Sequence, residues 1–297
     1  MHLIRSATLT VKDLQRSQSD YCQWLGYKLV EQGRISPSLA ISWGAKKTEG
    51  CPYCILQPAS NAPVYIRLIE QPLMPDYKPL RTYGWAAIEI CNQDTLAVND
   101  IMDKSPFEII GPPKTLDGIP EIFPMQVSGP DQEIVYLTEI RGNLKDYDLP
   151  RAESLIDKLF ILVSACSDIE KTSEWLENHI LVSKGQSVKM IYSMINKSFN
   201  LPNDTKHALM TLQHERDVFL QIDSYPDAAT PRTSHPDMLP PCTAIGSFVH
   251  PDFDKLAEIN KAHWITPPTH RDGEIYKGKR AATLRDPDGT LIELIEA

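Results

Sequence analysis

Long apolar runs, basic clusters and a disulfide-type cysteine pattern are all missing from this chain. No segment approaches the roughly 20 apolar residues that a membrane-spanning helix needs, and Met1–Ser6 has no apolar core of signal-peptide length. Six cysteines scattered over 297 residues, without a signal, are typical of reduced intracellular thiols. The net charge of -9 and the lack of a basic run argue against nucleic acid as a partner. We therefore expect a cytoplasmic protein that binds neither nucleic acid nor membrane.

What is present is a fourfold repetition. The composition, 42% hydrophobic and 23% charged, is that of an ordinary globular protein, and the length predicts about two domains. Four segments repeat one unit, in which an apolar strand is followed by a helix and then by a run of strands. In each unit an aspartate at the end of the first strand is a good N-cap for the helix: Asp13, Asp94, Asp168 and Asp252.

The most informative unit ending is the last one, Arg285–Leu294. Its Asp-Pro-Asp-Gly sequence predicts a tight turn, because proline presets φ and glycine accepts a positive φ. The turn leads into Leu-Ile-Glu-Leu, an apolar strand with a single carboxylate, Glu293. A lone ionisable group on a buried strand is costly unless something pairs with it. Glu293 is therefore predicted to be a ligand, a catalytic group or a residue at the mouth of a cavity.

This ending resembles the last strand of the vicinal oxygen chelate (VOC) superfamily, which includes glyoxalases, extradiol dioxygenases and bleomycin-resistance proteins. The resemblance implies an α+β fold of four βαβββ modules, paired into two VOC domains whose curved mixed sheets form cups. With units pairing in chain order, we expect an N-terminal domain at 1–142, a linker at 143–151 and a C-terminal domain at 152–297. The long proline-rich segment 226–241 is expected to act as a lid or a clasp.

In the VOC family the metal is held by a histidine (sometimes a glutamine) from a first strand and a glutamate from a last strand. The corresponding first-strand positions in this chain are Ser6, Ala87, Ile161 and Ile245, and no opening strand contains a histidine. The last-strand positions are Arg67, Tyr136, Gln221 and Glu293. A divalent ion wants at least three protein donors. We therefore expect no metal cofactor, with divalent Fe, Mn or Zn at Glu293 as the alternative.

Without a metal, Glu293 is expected to act as a general base, with a pKa raised by its partly apolar cup. Three further residues are candidate catalytic groups because they are proton carriers or donors on neighbouring segments: His207, Tyr276 and Arg280. Gln221, at the position equivalent to Glu293, is a candidate substrate ligand, as are Trp264 and His263.

These residues favour a metal-independent isomerase or lyase that acts on an oxygenated aromatic or polycyclic small molecule. Two alternatives remain open: a metal-dependent enzyme similar to extradiol dioxygenases or glyoxalases, and a resistance-type protein that only binds a hydrophobic ligand. A further hypothesis is a structural or regulatory module whose cups are filled by side chains and leave no cavity. The expected partner is a small-molecule substrate, and a homodimer is a candidate assembly.

Overall fold

The computed structural model describes residues 2–116 and 118–297, and all four predicted units are present in it. The first contains β1 (Ile4–Val11), α1 (Leu14–Trp24), β2 (Lys28–Arg34), a short helix α2 (Pro37–Ser42), a 3₁₀ turn (Lys46–Thr48), β3 (Pro52–Gln57) and β4 (Tyr65–Glu70). The second contains β5 (Gly84–Asn92), α3 (Thr95–Met102), β6 (Glu108–Gly111), β7 (Ile122–Ser128) and β8 (Ile134–Ile140).

The third and fourth units follow the same plan. The third contains β9 (Ile156–Cys166), α4 (Ile169–Ile180), β10 (Ser183–Ile191), a short helix α5 (Ser193–Phe199), β11 (Lys206–His214) and β12 (Asp217–Ser224). The fourth contains β13 (Cys242–His250), α6 (Phe253–Ile259), β14 (Thr269–His270), β15 (Arg280–Arg285) and β16 (Leu291–Glu296). The predicted α+β class with βαβββ units is thus confirmed.

The helix starts follow from the predicted caps. The side chains of Asp13, Asp94 and Asp168 each accept a backbone N–H from the first turn of α1, α3 and α4. These bonds satisfy donors that a helix start otherwise leaves free. Asp252 stands at the N-cap position of α6, but its side chain makes no capping hydrogen bond. The three caps place each helix directly after its opening strand, as the repetition predicts.

The units pair differently from the expectation. One eight-stranded sheet has the order β14-β15-β16-β13-β1-β4-β3-β2 and so joins the fourth unit to the first. The other has the order β10-β11-β12-β9-β5-β8-β7-β6 and joins the third to the second. Opening strands meet antiparallel at each centre, β1 with β13 and β5 with β9. The chain-order division into 1–142 and 152–297, with its linker at 143–151, is therefore wrong as a description of the sheets.

The physical reason lies in the connections. The repetition predicts that each unit pairs with another unit along the edge of its opening strand. All four opening strands offer an equivalent edge, so the local sequence does not determine which two units pair. The segment between β4 and β5, residues 71–83, contains three prolines and is long enough to carry the chain from one sheet to the other. Segment 226–241 makes the return crossing and acts as the expected clasp, since Thr230 bridges to Thr82 and Leu239 N–H donates to Gln71.

Each sheet has two different faces. One face of both sheets packs against the helices in a single apolar cluster, which includes Leu9, Ile88, Leu162 and Phe248. The opposite faces carry separate clusters. We call the opposite face of the β1/β13 sheet the first cup, and that of the β5/β9 sheet the second cup. None of the helices in the described part of the chain has both the length and the apolar character to cross a membrane.

Candidate functional site

The four last-strand positions are divided between the two cups. Arg67 on β4 and Glu293 on β16 lie in the sheet of the first cup, whereas Tyr136 on β8 and Gln221 on β12 lie in that of the second. All four side chains are at most 9% exposed. Glu293 and Gln221 therefore do not act on one ligand, which corrects the expectation that they share a domain.

Glu293 is fully buried and surrounded by donors. Its Oε1 accepts the indole Nε1–H of Trp43 at 2.9 Å, and its Oε2 accepts the hydroxyl of Ser247 at 2.8 Å. The hydroxyl of Tyr276 lies 3.1 and 3.2 Å from the two carboxylate oxygens. Arg271 forms an ion pair with Oε1 through Nη1. The carboxylate is thus held by four side chains that come from three separate parts of the chain.

A second guanidinium closes this network. Arg67 Nη2 lies 3.8 Å from Glu293 Oε2, and Arg67 Nη1 donates to the Tyr276 hydroxyl at 3.1 Å. Its Nε donates to Thr8 Oγ1 at 3.0 Å, and the guanidinium lies over the Trp43 ring, 4.7 Å from the centroid. Arg67 is 1% exposed and is therefore as buried as its partner.

The electrostatics of Glu293 are the opposite of the expectation. Burial alone raises the pKa of this carboxyl, but the charges of Arg271 and Arg67, with the hydrogen bonds from Trp43 and Ser247, outweigh burial and bring the pKa below its ordinary value. A carboxylate with a lowered pKa is a weak base, and here its lone pairs are already engaged. Glu293 is a structural ion-pair partner in this geometry.

The metal that the VOC fold implies does not fit the first cup. Two guanidinium groups lie against the only family-type ligand there, and a cation would meet their charge directly. Across residues 2–116 and 118–297, no three side chains of His, Cys, Asp or Glu are grouped so that they could share a metal ion. The donor set of the second cup does not fit either, because its last-strand positions offer a phenol and an amide, Tyr136 and Gln221.

Several predicted site residues lie away from both cups. Arg280 forms ion pairs with Glu296 at 2.7 Å and with Asp254 at 2.6 Å. The Trp264 indole donates to the carbonyl of Ala257 and packs against the core shared by the sheets. The ring of His263 lies edge-on to that of His179, with a centroid distance of 4.7 Å. The structure thus does not bring these three candidates to Glu293, although it does bring Tyr276.

His207 lies on β11 in the same sheet as Gln221, as expected, but it is bound to another residue. Its Nε2 is 2.6 Å from Oδ1 of Asn196 on α5, and burial lowers its pKa. It does not line the cavity beside Gln221. His207 therefore connects α5 to the sheet, and the structure does not place it as a proton carrier of the second cup.

The second cup contains a cavity of about 90 Å³. Its walls are mostly apolar, with Phe160 and Ile161 from β9 among them. The polar side chains that line it are Glu89, Tyr147, Gln186, Tyr192, Thr211 and Gln221. The cavity adjoins a wider cleft of about 430 Å³, and Leu116, Met190 and Tyr192 line both. An apolar pocket with a few convergent polar groups is the usual form of a small-molecule site.

Glu89 is the carboxyl group among the residues that line this cavity. It lies in the middle of β5, is 8% exposed, and accepts the hydroxyl of Thr138 at 2.6 Å. Burial raises the pKa of Glu89 to about 7, because the hydrogen bond from Thr138 offsets only part of the desolvation. Sequence reasoning missed this residue, although the signal was the same as for Glu293: one carboxylate in an apolar strand, Ala86-Ala87-Ile88-Glu89-Ile90.

Gln221 and Tyr192 form the polar wall beside it. Gln221 Nε2 donates to the Tyr192 hydroxyl at 2.8 Å and to Oδ1 of Asp223 at 2.8 Å. Burial raises the pKa of Asp223 to about 7, with the Gln221 hydrogen bond acting against the shift and the nearby Glu89 adding to it. Burial also raises the pKa of Tyr192, so its phenol keeps its proton. Both hydrogens of the Gln221 amide are engaged, which leaves its oxygen and the Tyr192 O–H for a ligand.

The overall architecture can be compared with solved structures. Neither a protein-family model nor a curated protein matches this chain. Glyoxalase I from Zea mays is similar with a TM-score of 0.66 and 17% identity, over 99% of this chain and 92% of that one. A putative dioxygenase from Bacillus subtilis gives 0.63 and 12%, over 99% and 85%. The cppA protein from Streptococcus pneumoniae gives 0.52 and 12%, over 100% and 99%.

Likeness at such low identity concerns the fold and not the activity. It extends over both cups, because the three matches cover nearly the whole of this chain. Together with the four βαβββ units and the two mixed sheets, this identifies the architecture: the chain has the vicinal oxygen chelate fold in its two-domain, four-module form.

Proposed function

We propose that this chain is a small-molecule enzyme whose working site is the second cup, where Glu89 exchanges a proton with an oxygenated substrate without a metal ion. The observation that supports this most is the pKa of Glu89, raised to about 7 in a mostly apolar cavity. A group with a pKa near the working pH serves equally well as base and as acid. Isomerisation and elimination next to a carbonyl both need such a group.

The polar wall supplies the other half of this chemistry. When a C–H bond next to a carbonyl loses its proton, negative charge develops on the carbonyl oxygen and needs a donor. The Tyr192 hydroxyl accepts from Gln221 and keeps its own proton for this oxygen. The free oxygen of the Gln221 amide suits a substrate hydroxyl. Glu89, Tyr192 and Gln221 thus take the roles of base, oxyanion donor and positioning group.

The size of the cavity limits the substrate. Most sites for drug-sized ligands measure about 300 to 1,000 Å³, and the inner cavity is about 90 Å³. A polycyclic molecule does not fit inside it. We propose that the reacting end of the substrate is a small oxygenated group, and that any larger part extends past Met190 and Leu116 into the adjoining cleft of about 430 Å³.

The test is hydrogen exchange on small carbonyl compounds in D₂O, followed by proton NMR with hydroxyacetone and glycolaldehyde. We expect exchange at the carbon next to the carbonyl with the wild-type protein, and none above the protein-free rate with Glu89→Gln. Glu133→Gln is the matched control, because Glu133 is also a buried carboxyl, with its pKa raised by burial to about 8, but it does not line the cavity. Equal exchange by the Glu89→Gln and wild-type proteins, or no exchange by either, contradicts the proposal.

A further inference from the structure

A cleft of about 750 Å³ lies where the two sheets meet, and of its lining residues Leu149 alone also lines the cavity of the second cup. One wall belongs to the first cup's sheet and comprises the start of β1, the loop 60–64 and the end of β13. The other wall comprises residues 148–150 with Glu153, Lys158 on β9 and Asp217 on β12. Ligand sites occur preferentially at such domain boundaries, and this volume is in the usual range.

Most charged groups of this cleft have partners within the protein. His2 Nδ1 is 3.0 Å from Asp217, and Lys158 Nζ is 3.1 Å from Glu153. Asp148 is paired with Arg216 at 3.1 Å. Each acidic group of the cleft therefore already has a cationic or protonatable neighbour, and these pairs leave the local charge close to balance.

Arg5 is the exception. Its Nη1 donates to the carbonyl of Pro63 at 3.1 Å, and its buried Nε has no hydrogen-bond partner among residues 2–116 and 118–297. Among the described residues no carboxylate lies within ion-pair distance of it. Burial lowers the pKa of Arg5, with a smaller opposing effect from Tyr65, so its charge is held at a cost. A partly buried guanidinium without a counter-ion favours binding of an anion, and a guanidinium edge can hold carboxylate, sulfonate or phosphate with two hydrogen bonds.

The rest of the cleft suits an apolar body. Ile4, Val64 and Val249 lie on the side of Arg5, and Leu149 and Pro150 lie opposite. An inorganic anion would leave this surface uncovered, whereas a molecule with an apolar body would bury it. We propose that this cleft binds an organic anion, with its charged group on Arg5 and its apolar body between Val64 and Leu149.

The test uses 8-anilinonaphthalene-1-sulfonate, an aromatic sulfonate whose fluorescence rises in apolar sites. We expect one molecule to bind per chain, with affinity about tenfold weaker in Arg5→Gln, the loss expected for a charge-assisted pair. Arg34→Gln is the matched control, because Arg34 also donates through Nη1 to a backbone carbonyl, that of Gly50, but lies outside the cleft. This control should bind as the wild type does.

A second variant locates the site independently of charge. Ala62 lies on the loop that lines the cleft, and Ala62→Trp places a large side chain there without removing a core residue. We expect Ala62→Trp to weaken the sulfonate and its uncharged analogue N-phenyl-1-naphthylamine alike, whereas Arg5→Gln weakens only the sulfonate. Unchanged sulfonate binding in either variant overturns the proposal. Glu89→Gln should leave this binding intact, so the result is separate from the function proposed for the second cup.

Discussion

Arg67 and Glu293 face each other from the two last-strand positions of the first cup, with Arg67 Nη2 3.8 Å from Glu293 Oε2 and both side chains almost fully buried. In the VOC fold these are positions from which a cup binds its ligand. Here a guanidinium and a carboxylate satisfy each other, and Trp43 and Tyr276 fill the space between the strands. The first cup is thus filled by this buried pair and its neighbours, and the cavity of about 90 Å³ lies in the second cup.

Breaking this pair should destabilise the protein. Glu293→Gln leaves Arg67 and Arg271 buried without their counter-charge, and removal of one partner of a buried pair costs about 3 to 5 kcal/mol. Urea-induced unfolding at neutral pH measures the loss. Because the pKa of Glu293 is lowered in the folded state, its contribution is present above the unfolded pKa and is lost as the pH falls through the folded one. The difference between variant and wild type should therefore shrink in acid.

The control for this measurement is Glu296→Gln. Glu296 is on the same strand and is paired with Arg280, but both side chains are partly exposed, so solvent screens the pair. We expect little change in the free energy of unfolding. Equal destabilisation by the two variants would contradict the view that burial of the Arg67–Glu293 pair is what matters.

Addition of divalent metals should leave the protein unchanged. A metal that binds the folded state raises its melting temperature by mass action, and the first cup presents two guanidinium groups where a metal would have to sit. We therefore expect no rise in melting temperature with Zn²⁺, Mn²⁺ or Fe²⁺, and no loss after EDTA treatment. A stoichiometric metal that resists dialysis and disappears in Glu293→Gln would show that this interpretation is wrong.

The sequence predicts the units of this fold better than their assembly. Asp13, Asp94 and Asp168 cap their helices as expected, because a cap depends on residues within one turn. The pairing of the first unit with the fourth depends on contacts between residues more than 200 positions apart, such as Thr8 with Ile245. No local pattern in the sequence encodes that choice.

The site shows the same division between local and distant information. Placing Glu293 on a buried strand follows from the apolar residues on both sides of it, Leu291, Ile292 and Leu294. Arg271, one of its charge partners, and Tyr276, one of its hydrogen-bond donors, contact Glu293 from the loop before β15. The path of such a loop cannot be predicted from the sequence. Glu89 lies on an opening strand, where the resemblance to the VOC family implies a histidine, so the resemblance does not point to a carboxylate at this place.

Glu89 should make the stability depend on pH in the sense opposite to Glu293. Its pKa is raised to about 7 in the folded state, so the folded protein binds more protons than the unfolded chain between about pH 4.5 and 7. The free energy of unfolding should fall as the pH rises through this window, by up to about 3 kcal/mol for this one group. In Glu89→Gln the free energy of unfolding should depend less steeply on pH between about pH 4.5 and 7. Urea unfolding at several pH values measures this dependence.

Asp223 provides the comparison for that experiment. Its pKa is also raised to about 7, and it is hydrogen-bonded to Gln221. Asp223→Asn should remove a second part of the same dependence. The double variant should keep the part due to Glu133 and Asp286, whose pKa values burial raises to about 8 and about 6. If Glu89→Gln keeps the full slope of the wild type, the carboxyl titrates normally, and its role as a neutral-pH base in the second cup is contradicted.

The last prediction concerns the contact between the two sheets. Gly246 on β13 faces the other sheet, and a Cβ there would lie 2.6 Å from Cζ2 of Trp85 and 2.7 Å from Cδ1 of Leu162. Both neighbours are buried in the shared core and have little room to shift. Gly246→Ala should therefore cost about 1 to 3 kcal/mol of unfolding free energy by overpacking.

Gly33→Ala is the control, because its nearest neighbour is the partly exposed end of the Tyr53 side chain, which can move. β13 and β5 belong to different sheets. If Gly246→Ala is destabilised and no longer unfolds in one transition, this contact couples the unfolding of the two sheets. A Gly246→Ala protein as stable as Gly33→Ala would mean that the sheets are not closely packed at this point.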